Sequence, residues 1–100
     1  MIAVIFEVEP AEGGMEPYLE HAARLRPALE AIPGFISVER FQSMTQPGKY
    51  LSLSFFADET AAARWRTHAG HRTAQAAGRD GLFRHYRIRV ARVLRDYAGP

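Results

Sequence analysis

One hundred residues make one domain, and 47% hydrophobic with 24% charged residues is the balance of a folded globular chain, not a disordered one. The chain has no cysteine, which excludes disulfides, thiolate nucleophiles and cysteine-ligated zinc and fits a reducing compartment. The net charge of +2 hides a split: residues 1–60 carry nine acids against four bases, whereas residues 61–95 carry nine arginines against Asp80 alone. With one lysine and no recognised nucleic-acid motif, that split is read as attraction between two halves or two subunits, not as a nucleic-acid surface. No run approaches the roughly 20 apolar residues of a membrane span. The start, MIAVIFEVEP, lacks the basic region and longer apolar core of a signal peptide. The expectation is a cytoplasmic protein with no membrane partner.

Residues 2–9 (IAVIFEVE) are β-branched and aromatic and run into Pro10, which predicts a strand. From Glu16 to Ala31, with Ile32 just beyond, the apolar positions Tyr18, Leu19, Ala22, Leu25, Leu29 and Ile32 recur at three- and four-residue steps, an amphipathic helix. Pro17 suits its first turn, Pro27 should kink it or remove a hydrogen bond, and Pro33-Gly34 ends it. Residues 35–44 (FISVERFQSM) and 50–57 (YLSLSFFA) predict two strands joined through Pro47-Gly48 as an antiparallel hairpin. Asp58 caps a helix through Trp65 to about Thr67, and Gly70 separates it from a second helical piece, His71–Ala77, closed by Gly78. Residues 85–97 (HYRIRVARVLRDY) predict the last strand.

The order β-α-β-β-α-β is the split βαβ of the ferredoxin-like α+β class. One domain over residues 1–97, with a tail at 98–100, accounts for the chain. Strand 1 offers Ile2, Val4, Phe6 and Val8 on one face and Ala3 and Ile5 on the other; strict alternation in strand 2 sets Phe35 and Phe41 opposite Ile36, Val38 and Met44. Two helices cover only one face of such a sheet, so a second copy is expected to cover the other, giving a homodimer.

Together these features resemble the antibiotic biosynthesis monooxygenase (ABM) domain. The motifs that carry the resemblance are the element order, the Pro33-Gly34-Phe35 entry to strand 2, Trp65 followed six residues later by His71, and the Arg/Tyr-rich last strand. It covers about residues 1–97 and implies a dimeric α/β barrel with a pocket in each subunit between sheet and helices. It also implies either cofactor-independent oxidation of phenols to quinones or haem degradation, the two chemistries of characterised relatives.

The haem version calls for an asparagine on strand 1 and an axial histidine about ten residues after the tryptophan. This chain has no asparagine, Phe6 stands at the strand position, and the histidine comes at six. The cofactor-free version needs a dry site that takes a proton from an acidic substrate and steadies the resulting anion. On the resemblance, Trp65 packs beside the substrate ring, His71 stands where relatives place a polar group, and Arg87 pairs with the substrate oxyanion. Phe6, Phe41, Phe83 and Tyr86 are candidates for the pocket lining, with His68 or His71 facing it.

Simpler roles stand beside these. Trp65 shares a helix face with Ala61 and Ala62 as a core anchor, His71 starts a helix, and Arg87 pairs with Glu7 or Glu39 across the sheet. No metal is expected, because a site needs three or four ligands and His21 and His85 lie at no recognisable spacing from His68 and His71. The readings left open are an oxygenase of a small aromatic or hydrophobic molecule with no bound cofactor, a non-catalytic ligand-binding or stress-related barrel, and, least favoured, haem binding or degradation.

Overall fold

Six elements follow in the predicted order: β1 (Ile2–Pro10), α1 (Met15–Glu30), β2 (Phe35–Gln42), β3 (Tyr50–Phe56), α2 (Glu59–Thr67) and β4 (Phe83–Arg92). The computed structural model describes residues 1–68 and 81–100, so the helical piece expected at 71–77 lies outside the described residues. The strands form one antiparallel sheet in the order β2-β3-β1-β4. That is the ferredoxin-like arrangement the element order implies.

Local chemistry sets the ends of the elements. Asp58, in extended conformation, accepts a hydrogen bond from Ala61 N at 2.9 Å and so satisfies one orphan donor at the start of α2. Gly14 precedes α1 without a side-chain cap. Between β2 and β3, Ser43 N donates to Lys49 O at 2.9 Å and Lys49 N to Gln46 O at 2.8 Å, which places Pro47-Gly48 at the centre of the turn as expected. β4 is shorter than predicted because Arg92 already pairs with Ile2 at the start of β1. Beyond it Val93 N still bonds Met1 O at 3.0 Å, and then no partner strand remains.

The core lies where α1 and α2 converge on β3. Phe56 and Ala61 are buried and pack with Leu29, and around them sit Val4, Ile32, Phe35, Val38, Ala62 and Trp65. Phe35 meets Phe56 edge-on at 6.0 Å. Removing a Phe side chain from water contributes roughly 1.5–3 kcal/mol, so the packing of buried Phe56 with Leu29 and Ala61 is a main anchor of the hairpin to the helices. Gly34 makes the close approach possible. Its φ is +92°, its carbonyl accepts from Ala57 N at 2.7 Å, and a Cβ there would lie 2.7 Å from the Ala61 Cβ. The α1 stripe is only partly inward: Tyr18 and Leu29 are buried, but Leu19 is 42% exposed.

Strict alternation fails in β2. The pairing with β3 shifts between Phe35 and Ser37, so Phe35 and Val38 share the helix-covered face. Phe41, paired with Leu51, then falls on the opposite face, together with Ile5, Leu53 and Phe55. That face is mixed, since Glu7 also stands on it, with Lys49 at 3.6 Å and Arg89 at 3.5 Å. No helix among the described residues is long and apolar enough to cross a membrane.

Candidate functional site

Between the helices and the sheet lies a cavity of about 500 Å³. Its floor is the helix-covered face of all four strands: Val4 and Phe6, Val38 and Arg40, Ser52 and Ser54, and Tyr86, Ile88 and Val90. The registers align these residues in rows, Arg40–Ser52–Phe6–Ile88 and Val38–Ser54–Val4–Val90, because alternate residues of paired strands share a face. α1 contributes Tyr18, His21, Ala22, Leu25 and Leu29 to one wall, and α2 contributes Ala62, Ala63, Trp65 and Arg66 to another. A volume of 300–1,000 Å³ with a mostly apolar lining is the usual form of a small-molecule site.

One end is aromatic. Phe6 stands 5.8 Å from Phe83, 6.1 Å from Tyr86 and 6.4 Å from Tyr18, while Tyr18 and Phe83 meet edge-on at 5.6 Å. A pairing shift at Glu9/Pro10 brings Phe83 and Tyr86 to the same side although they are three residues apart. Such tilted and T-shaped pairs add stability beyond area burial and hold a surface of ring edges and faces.

Polar groups are few and biased towards donors. Arg40 Nε donates to the Tyr18 hydroxyl at 3.3 Å, with the guanidinium carbon 5.7 Å from the Tyr18 ring centre. The hydroxyl thereby accepts and keeps its own proton to donate elsewhere. Ser52 and Ser54 line the floor, and neither hydroxyl has a hydrogen-bond partner among the described residues, although Ser54 is buried. Arg26, at one edge, is engaged by Glu30 at 2.7 Å.

Four residues that the sequence singled out meet at this cavity: Phe6, Phe83, Tyr86 and Trp65. Trp65 also packs against the core, so its anchoring role and its place in the wall coincide. His68, at the C-terminal end of α2, stacks on Trp65 with ring centres 5.4 Å apart and is not among the described lining residues.

Two candidates are placed elsewhere. Arg87 is the register partner of Glu7 on the face away from the helices, because its strand neighbours Tyr86 and Ile88 take the cavity side, but the Glu7 carboxylate is engaged by Lys49 and Arg89 instead. Phe41 is turned to that same outer face by the shift in β2. His71 lies outside the described residues. Sequence reasoning passed over Tyr18, His21, Arg40, Ser52 and Ser54. A readable signal existed for the serines, which alternate with Leu51, Leu53 and Phe55 and so share one face. No three or more metal-ligating side chains cluster among the described residues.

Comparison with known proteins follows the same line. The family model described as antibiotic biosynthesis monooxygenase matches residues 1–77. The chain belongs to the ABM family. A jasmonate monooxygenase ABM of Pyricularia oryzae is 48% identical over 93 residues, 93% of this chain. The chain spans only 43% of that relative's length. An uncharacterised protein, YqjZ, of Bacillus subtilis is 32% identical over 94% of this chain and 80% of its own length. Among solved structures, a putative ABM protein of Deinococcus radiodurans aligns over 100% of this chain and 99% of its own with a TM-score of 0.86 at 12% identity. Rv0793 of Mycobacterium tuberculosis aligns over 97% and 98% with a TM-score of 0.84 at 16% identity. At such identities the structural likeness concerns the fold.

Proposed function

We propose that this ABM-family protein is a monooxygenase whose substrate, a small and largely apolar molecule with a flat or aromatic body, binds in the cavity between the sheet and the helices. The observation that supports the reading is the lining: a largely apolar space with an aromatic end at Phe6, Phe83 and Tyr86, and Trp65 in its wall. A ligand body seated on such an apolar lining displaces water from the side on which a carbanion or phenolate meets oxygen.

For a phenol with an activated ring methylene, the chemistry balances without an outside reductant. The methylene loses a proton, the carbanion gives electrons to O2, and a C–O bond forms. The O–O bond then breaks with loss of water, leaving a carbonyl. The substrate supplies all the electrons. His71 is assigned the proton-transfer role on the family likeness, and His71→Gln should lower turnover while leaving the fold intact. Hydroxylation of an unactivated C–H bond, by contrast, consumes two further electrons per O2. Reductant dependence therefore tells the two reactions apart.

The chain is further proposed to work as a homodimer, with the outer sheet face around Ile5, Leu53 and Phe55 against a second copy. The test of the enzyme reading is oxygen uptake by the purified protein with hydroquinones, anthrones and hydrophobic carboxylic acids including jasmonate, each with and without NADPH. Uptake with any class supports an oxygenase. Tight binding without uptake supports the non-catalytic reading.

A further inference from the structure

The cavity's hydrogen-bonding groups are out of balance. Its floor presents the Arg40 guanidinium, the Tyr18 hydroxyl with its proton free to donate, and the two serine hydroxyls of Ser52 and Ser54. Arginine has five N–H donors and no acceptor, and only Nε is used by Tyr18. No carboxylate lies within ion-pair distance of Arg40 among the described residues, although the nearby Arg26 has Glu30 and Arg92 has Glu59 at 3.8 Å. The one acid in the lining, Glu59, is exposed and already engaged by Arg92. A fixed positive charge beside hydroxyl donors, on the wall of an apolar space, is complementary to an anion.

Position sharpens this. Arg40 and Ser52 are register partners on adjacent strands, and Ser52 is in turn paired with Phe6 of the aromatic end. An anionic group held at Arg40 and Ser52 therefore leaves the ligand's body directed along that row towards Phe6, Tyr86 and Phe83. The Arg40 guanidinium is steadied in this place, since Nε is bonded to Tyr18 and the cation lies over the Tyr18 ring.

We infer that Arg40, with Tyr18 and Ser52, is an anion seat that selects ligands carrying a carboxylate on a compact apolar body over their neutral counterparts. The inference rests on the cavity being the ligand site. It makes Arg40 a specificity-determining residue and leaves the oxygenation step itself unassigned.

The test is isothermal titration of the full chain with 1-naphthaleneacetic acid and with its neutral amide, a pair that differs only at the polar group. The wild-type protein should bind the acid ~10-fold or more tightly than the amide, the range expected for a charge-assisted hydrogen bond. Arg40→Met keeps the apolar stem and should bring the acid down to the affinity of the amide, which itself stays unchanged. Arg40→Lys, retaining charge without the fork, should fall between. Circular dichroism confirms folding of each variant, and Arg87→Met, on the outer face of the sheet, should keep the preference. Equal binding of acid and amide by the wild type, or retention of the preference in Arg40→Met, overturns the inference and leaves the cavity reading intact. Binding of neither ligand overturns both.

Discussion

Gly34→Ala tests how closely β2 and α2 must approach to build the site. Gly34 has φ +92°, and an added Cβ would sit 2.7 Å from the Cβ of Ala61, a residue buried in the core. An L-residue with positive φ costs roughly 1–2 kcal/mol. Forcing a methyl group into a packed contact costs roughly 1–3 kcal/mol more. The stiffer unfolded chain returns only about 0.4–1 kcal/mol. The net loss is about 1–5 kcal/mol, centred on ~3 kcal/mol, which for a domain of this size lowers Tm by roughly 10–20 °C. Gly13 separates the two effects, because its φ is +74° but nothing lies within 4 Å of its added Cβ. Gly13→Ala should therefore lose only about 1 kcal/mol. Thermal and urea unfolding followed by circular dichroism measure both. In the background of Gly34→Ala, Ala61→Gly should return part of the loss, giving a coupling energy of opposite sign to the single changes. If Gly34→Ala is no more destabilising than Gly13→Ala, the contact between the start of β2 and the first turn of α2 is not as described.

Asp58→Ala removes the acceptor of Ala61 N and should cost about 1 kcal/mol in urea unfolding, with Asp58→Asn close to wild type. Arg87→Gln lies on the far face of the sheet and should leave KM and turnover within about twofold of wild type, as a surface substitution away from the site does; a large rise in KM would return Arg87 to the site. Sedimentation of the wild type should give a dimer, and Leu53→Glu should give a folded monomer by placing a charge at the centre of the outer apolar face. A wild-type monomer at micromolar concentration would contradict the proposed second copy.

Much of this fold is legible in the residue pattern because its signals are local. The Pro47-Gly48 turn, the Asp58 cap and the three- and four-residue spacing of α1 each depend on neighbours in the chain. What was not legible depends on distant pairing. The shift between Phe35 and Ser37 reverses the parity of β2, so Phe41 leaves the site and Val38 and Arg40 enter it. Nothing in FISVERFQ marks that shift. The end of β4 likewise depends on where β1 begins. Arg87 is a different matter: adjacent residues of a strand face opposite ways, so Tyr86 and Arg87 were never compatible as wall partners, and alternation alone separates them. Tyr18 was legible as an inward apolar position, but its hydrogen bond to Arg40 joins residues that only the folded sheet brings together.

The central claim is that the cavity over Ser54 is where a molecule is bound and oxidised, and turnover under ¹⁸O₂ in the wild type beside Ser54→Phe tests it most directly. Ser54 sits mid-floor between Val4 and Val38, so a ring there fills cavity space and leaves the outer face untouched. The wild-type product should carry one labelled oxygen, and the variant, with unchanged circular dichroism, should turn over at least ~10-fold more slowly, about 1.4 kcal/mol of lost transition-state binding. Equal rates in the two proteins, or a product without label, would contradict it.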